Sequence, residues 1–166
     1  MADAVVGIVA NPLSGRDIRR LVAQASVFPT AEKAAMVQRM LSASGTVGVD
    51  QVLLSTDLGG ISAAVLRAVH RGPPRGAQWP DVQFLDEDPI TQAADDTTNA
   101  VRRMVTAGAK VVICLGGDGT ARVAAAACGE TPLLALSTGT NNAFPVIREA
   151  TVAGLAAGLL AVGAVD

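Results

Sequence analysis

Tyrosine is absent from the 166 residues, and tryptophan and phenylalanine supply only one and three side chains. A chain so poor in aromatic rings offers no stacking platform for single-stranded nucleic acid, so its core has to be built from Val, Leu, Ile and Ala. Histidine is nearly missing too. His70 stands alone beside a Pro/Gly loop, which leaves a Ser-His-Asp triad or a zinc centre without its parts and reads as a solvated helix end. The two cysteines, Cys114 in an apolar run and Cys128 in an alanine-rich one, lack Cys-x-x-Cys spacing and read as small core hydrophobes. Charge of neither sign dominates: 13 Lys+Arg stand against 15 Asp+Glu, a formal net charge of −2, so neither nucleic acid nor a membrane is expected as a partner. No run approaches the roughly 18 to 20 continuous apolar residues of a membrane span. The segment from Met1 to Val9 lacks the positive start and cleavage pattern of a secretory signal, so a cytoplasmic protein is expected.

What is present is apolar and regularly interrupted. Half of the residues are hydrophobic, enough for one domain with a sizeable core at this length. Short runs rich in Val, Ile and Leu recur at Val5 to Ala10, Gln51 to Ser55, Val82 to Leu85, Lys110 to Leu115 and Pro132 to Ser137. Their shortness and weak polar alternation predict strands covered on both faces. Helical spacing fills the gaps: a helix over Ala31 to Leu41 capped by Thr30 and ended by Gly45, then Gly59 to His70, Asp95 to Ala107, Thr120 to Cys128 and Glu149 to Val162. Arg71 to Gly76 reads as a surface loop. The alternation predicts an α/β fold, a Rossmann-like three-layer domain with a mainly parallel sheet of about five or six strands. Residues 1–148 are expected to form this nucleotide-binding α/β domain and residues 149–166 a helix leading toward a C-terminal β-rich domain that the chain lacks.

Three turn-rich loops each follow a predicted strand: Asn11-Pro12-Leu13-Ser14-Gly15-Arg16, Gly116-Gly117-Asp118-Gly119-Thr120, and Ser137-Thr138-Gly139-Thr140-Asn141-Asn142. In a parallel sheet they converge at the strand C-termini, where open α/β sheets bind ligands. Ser14, Gly15 and the Arg16 guanidinium could hold phosphate. Gly117, Gly119 and Thr120 offer backbone and hydroxyl donors, Thr138 to Asn142 offer hydroxyls and amides, and Arg122 one turn onward could add a phosphate contact. Asp118 is the only carboxylate in the three loops, and an acid beside phosphate implies a Mg²⁺ ion, a hydroxyl proton to accept or a ribose to bind. Plainer readings stand beside these: Asn11-Pro12 and Ser14-Gly15 are common turn dipeptides, Asn141-Asn142 fits a simple turn, Asp95 to Thr97 open a helix, and Asp86-Glu87-Asp88 is a charged loop. Gly-x-x-x-x-Gly-Lys-[Ser/Thr] is missing, and Arg122 stands where Gly-x-Gly-x-x-Gly needs its third glycine.

With Gly-Gly-Asp-Gly-Thr preceded by Asn-Pro-x-Ser-Gly and followed by Thr-Gly-Thr-Asn-Asn, the chain resembles the NAD kinase and diacylglycerol kinase superfamily over nearly its whole length. Through Ala94 to Thr97, Leu136 to Pro145 and Glu149 to Gly154 it is most similar to the ATP-NAD kinase-like acetoin-catabolism protein X family. The resemblance implies an ATP-dependent phosphotransferase with Mg²⁺, passing a phosphoryl group to a hydroxyl of NAD or a related small molecule, in connection with acetoin catabolism. It implies that Gly116, Gly117, Gly119 and Thr120 contact nucleotide phosphates, that Asp118 orients Mg²⁺ or deprotonates the acceptor hydroxyl, and that Thr138, Gly139, Thr140 and Asn141 line the nucleotide cleft; Asn11 is expected among the nucleotide-binding residues. Family members carry a C-terminal β-rich domain with acceptor-binding residues, so the complete protein is expected to be a kinase and the isolated chain inactive. A noncatalytic nucleotide-binding regulator and a diacylglycerol kinase-like lipid enzyme are the alternatives. Apolar surface left by the missing domain would favour a homodimer.

Overall fold

The computed structural model describes residues 3–15, 28–86, 89–139, 142–146 and 149–165. Five strands alternate with five helices: β1 (Val5–Ala10), α1 (Thr30–Thr46), β2 (Gln51–Ser55), α2 (Ile61–Arg71), β3 (Asp81–Leu85), α3 (Ala94–Thr106), β4 (Val111–Gly116), α4 (Asp118–Cys128), β5 (Leu133–Ser137) and α5 (Ala150–Ala161). All neighbouring strands pair in parallel, in the order β3-β2-β1-β4-β5. The architecture is the Rossmann-like α/β fold that the alternating sequence predicts.

Every residue of β1 and β4 is buried, as expected for strands covered on both faces. The two-residue period sorts their side chains. Val6, Ile8, Ile113 and Leu115 join a core with Met40, Leu41, Leu54 and Leu136 under α1, α2 and α5. Val5, Val9, Val112 and Cys114 face the opposite way, into a core with Leu53, Val101 and Met104 under α3 and α4. At the outer edge β3 is different: Asp81 and Gln83 are exposed and only Leu85 is fully covered. From β1 the chain steps outward through β2 to β3, then crosses to β4 on β1's other side. The seam between β1 and β4 is therefore the topological switch point.

Helix ends differ from expectation in instructive ways. Pro29, not Thr30, occupies the N-terminal cap of α1, its carbonyl accepting the N–H groups of Glu32 and Lys33 at 3.0 and 3.2 Å. The helix also runs through Gly45. There a side chain would strike the backbone of Gln78, so this glycine serves close packing rather than termination. Gly48 ends the helix instead. Its φ of 88° lets Gly48 N–H reach Gly45 O at 3.2 Å and Val49 N–H reach Ser44 O at 3.1 Å, the paired bonds of a Schellman motif. Asp57 sets the start of α2 by accepting from the Ile61 and Ser62 N–H groups at 3.1 and 2.6 Å. Helix α4 begins at Asp118, two residues before the expected Thr120. Helix α5 is capped by the Glu149 carboxylate, which accepts from Val152 N–H at 3.1 Å, and its buried stripe of Ala and Gly packs into the same core as α1.

His70 lies exposed in the last turn of α2. Both cysteines are buried. Burial, with Cys128 adding a smaller contribution, pushes the Cys114 thiol up to about 12, and burial also raises Cys128, so both behave as inert hydrophobes. No helix among the described residues is long and apolar enough to cross a membrane.

Candidate functional site

At the switch point the β1–β4 ladder continues one bond past the strands: Asn11 N–H donates to Leu115 O at 2.9 Å. The Asn11 side chain then works in both directions. Its Oδ1 accepts from Leu13 N–H at 2.8 Å, closing the turn, while its Nδ2 donates to Thr120 Oγ1 at 2.8 Å in the first turn of α4. The amide supplies a donor and an acceptor from one side chain. Ser14 Oγ reaches back to Asn11 O at 2.9 Å and meets Thr138 Oγ1 at 2.6 Å, and Thr138 N–H donates to Gly116 O at 3.0 Å. The three strand-end loops that the sequence singles out are thus joined into one surface.

Lys33 holds the first of these loops from beneath. It is fully buried in the first turn of α1, and its Nζ donates to the carbonyls of Asn11, Pro12 and Ser14 at 3.0, 3.1 and 2.6 Å. Sequence reasoning missed this residue, although two signals pointed to it. A cation sits poorly at the N-terminal end of a helix dipole, and Lys33 shares the apolar stripe of Val37 and Met40 at helical spacing.

The glycines of the second loop have separate tasks. A Cβ on Gly116 would lie 2.5 Å from Thr120 Cβ and 2.7 Å from its Oγ1, so the absence of a side chain lets α4 fold back onto the end of β4. Gly119 has open space around it and lines a cavity instead. In the third loop, a Cβ on Gly139 would come within 2.8 Å of Asn142 Nδ2. Asn142 braces the loops, donating to Ser137 Oγ at 2.6 Å and accepting from Asp118 N–H at 3.2 Å.

Asp118 heads α4 with its carboxylate turned toward the third loop. Oδ1 accepts from the N–H groups of Ala143 and Phe144 at 3.1 and 2.9 Å, and Oδ2 from Ala143 at 2.9 Å. These bonds, Ala143 foremost and then Phe144, hold the carboxyl below its ordinary value of 3.8, so it is ionised at neutral pH. The sign of the linkage follows. A depressed carboxyl contributes its bonds above the unfolded value and loses them as pH falls through the lower folded one. In a pH titration the amide resonances of Ala143 and Phe144 are expected to move with a common midpoint below 3.8. A midpoint at or above that value would mean that the clip does not form in solution.

A cavity of about 350 Å³ opens at the same edge, on the α3 and α4 side, between Asn11, Thr56, Ile90, Thr97, Thr120 and Arg122. The two carboxylates that line it, Asp57 and Asp96, are engaged in holding backbone. Asp57 caps α2, and Asp96 accepts from Thr91 N–H and Oγ1 at 2.9 and 2.6 Å and from Gln92 N–H at 2.7 Å. Partial burial works against the Asp96 charge, but the bonds from Thr91, Gln92 and Ala93 together outweigh it and keep the carboxyl below its usual range. Gln92 at the rim has a φ of 60°, a left-handed conformation for a residue with a side chain, held by its bond to Asp96. Arg122 is exposed on the wall and makes no hydrogen bond or ion pair to any described residue. Arg16, Thr140 and Asn141, also expected at the nucleotide, lie outside the described residues, as do Glu87 and Asp88 of the acidic run. Among the described residues no group of three or more His, Cys, Asp or Glu is placed to hold a metal ion.

Known proteins share this arrangement of sequence. Acetoin catabolism protein X of Cupriavidus necator is 47% identical over 161 residues, a match covering 96% of this chain and 44% of that protein. The chain therefore spans less than half the length of that curated relative. No solved structure matches. Residues 6–165 match the family of the ATP-NAD kinase N-terminal domain. With the match running from the second residue of β1 to the end of the described chain, and with its Gly-Gly-Asp-Gly-Thr turn at the strand C-termini, where open α/β sheets bind ligands, this chain belongs to the ATP-NAD kinase N-terminal domain family.

Proposed function

We propose that this chain is the nucleotide-binding half of an ATP-dependent, NAD kinase-like phosphotransferase that passes a phosphoryl group to a hydroxyl of NAD or a related small molecule. One observation carries the reading: an ionised carboxylate, Asp118, heads a helix at the switch point with its oxygens on the amides of the third loop, while the next two residues, Gly119 and Thr120, line the cavity. The amides of Gly119 and Thr120 lie at that same helix end, where the dipole favours phosphate. Arg122 brings to the cavity wall a guanidinium that no described residue engages, suited to a phosphate oxygen. Thr138 and Ser14 meet at 2.6 Å and tie the third loop to the first.

Mg²⁺ fits the donor set. It typically takes one or two protein carboxylates and fills its remaining positions with phosphate oxygens and water, which suits a site where no cluster of three or more ligating side chains stands among the described residues. When bound it would neutralise charge on the phosphates. Asp118 would hold it, or accept the proton of the acceptor hydroxyl. The link to acetoin catabolism rests on the name of the Cupriavidus necator relative.

Calorimetric titration of MgATP into the chain, beside ADP and NAD, tests the reading. Saturable MgATP binding that weakens about tenfold or more in Asp118→Ala is expected, in keeping with the loss of a charge-assisted contact. No nucleotide binding by the wild-type chain would overturn it.

A further inference from the structure

In this structure Asp118 fills a place built for an anion. Two successive main-chain N–H groups, Ala143 and Phe144, converge on its carboxylate with three contacts between 2.9 and 3.1 Å. Other bonds hold the segment that carries them. Asn142 is tied to Ser137 Oγ at 2.6 Å, and Val146 accepts from Ser137 N–H at 2.9 Å while bridging Leu136 in parallel. The amide pair is therefore positioned from both sides without help from the Asp118 side chain. The pair is also open to solvent: Ala143 and Phe144 are exposed, Phe144 to 68%. Asn142 Oδ1 links this segment to the first N–H of α4, so an anion on the amide pair sits next to a helix N-terminus.

We propose that the Ala143–Phe144 amide pair is a phosphate-oxygen site and that the Asp118 carboxylate is its occupant in the free protein. The ligand class rests on the nucleotide reading above. The occupancy rests on the observed hydrogen bonds. A carboxylate and a phosphate cannot share two N–H groups, because each accepts the same donors and the two negative charges repel. Polyphosphate entering the site must evict the carboxylate. A metal-complexed polyphosphate brings a cation for the evicted carboxylate to bind, and a metal-free one brings only repulsion. Asp118 thereby makes the site selective for the metal complex.

The same substitution consequently has opposite effects on two ligands. Inorganic pyrophosphate in the presence of EDTA, followed through the backbone amide resonances of Ala143 and Phe144, is expected to saturate Asp118→Ala at a concentration at least tenfold lower than the wild-type chain. MgATP binding weakens in the same variant. Unchanged β1 and β4 amide resonances certify the fold, and Asp118→Asn, which keeps the size of the side chain and loses its charge, repeats the test if the alanine variant is unfolded. Equal or weaker pyrophosphate binding in the folded variant, or shifts confined to other residues, would overturn the proposal. Failure of the wild-type chain to bind MgATP while the pyrophosphate difference persists would sink the nucleotide reading and leave the anion site standing.

Discussion

Lys33→Met is expected to destabilise the chain by about 3 kcal/mol, the order found when one partner is removed from a buried, charge-assisted hydrogen-bond cluster. Methionine keeps most of the stem's volume, so packing changes little and the loss falls on the hydrogen bonds. Three carbonyl oxygens, of Asn11, Pro12 and Ser14, lose the Nζ donor, though Asn11 O retains Ser14 Oγ. Each buried acceptor left without a donor costs about 1–3 kcal/mol, and the relief of no longer desolvating an ammonium offsets part of the sum. In a domain of this size the net loss corresponds to a fall in Tm of about 6–12 °C. Urea denaturation gives the free energy, and hydrogen exchange at Leu13 and Thr138 locates the damage. A loss under about 1 kcal/mol would mean that the carbonyls find other donors and that the loop does not depend on Lys33.

On the proposed function, Asp118→Ala is expected to lower kcat/KM for phosphoryl transfer by about a thousandfold in an active protein that carries this chain, within the range for removing a group that handles a proton or holds the metal at the reacting phosphate. The fold should survive. Asp118 caps only an exposed segment, and α4 keeps its start through Gly117 O, which accepts from Ala121 N–H at 2.9 Å. Steady-state kinetics with MgATP and NAD, alongside a thermal melt of the same preparation, separate the two effects. Turnover within about tenfold of wild type in a folded variant would remove Asp118 from the reacting centre, since a proton- or metal-handling role is worth more than that.

Much of this arrangement was legible in the sequence because it depends on local pattern. The continuous apolar runs of β1 and β4 announce strands covered on both faces, and the polar residues that follow them mark the ligand edge. Position in the parallel sheet then brings Asn11, Gly116 and Thr138 together without any further information. What escaped was set by contacts distant in sequence. Nothing near Gly45 reveals that the backbone of Gln78 passes over it, so the glycine looks like a helix end while Gly48 does that work. Lys33 stands out in the sequence only as a cation misplaced on an apolar stripe, and the carbonyls of Asn11, Pro12 and Ser14 that it serves appear only in the fold. The partners of Asp118 are main-chain N–H groups, which every residue except proline possesses, so their identity as Ala143 and Phe144 leaves no trace in side-chain type.

The seam between β1 and β4 also bears on how quickly the domain assembles and comes apart. Val6 pairs with Val111 and Ala10 with Leu115, partners separated by most of the chain, whereas β2 meets β3 and β4 meets β5 after a single helix. Distant pairings carry the largest loop-closure cost and slow the search, so the two halves of the sheet have reason to organise before they join. Asn11 meets Leu115 and Thr120, and Ser14 meets Thr138, across that late junction. A ligand resting on these loops would strengthen contacts completed only once the two halves have joined. Its stabilisation would then emerge as slower unfolding, leaving the folding rate nearly untouched.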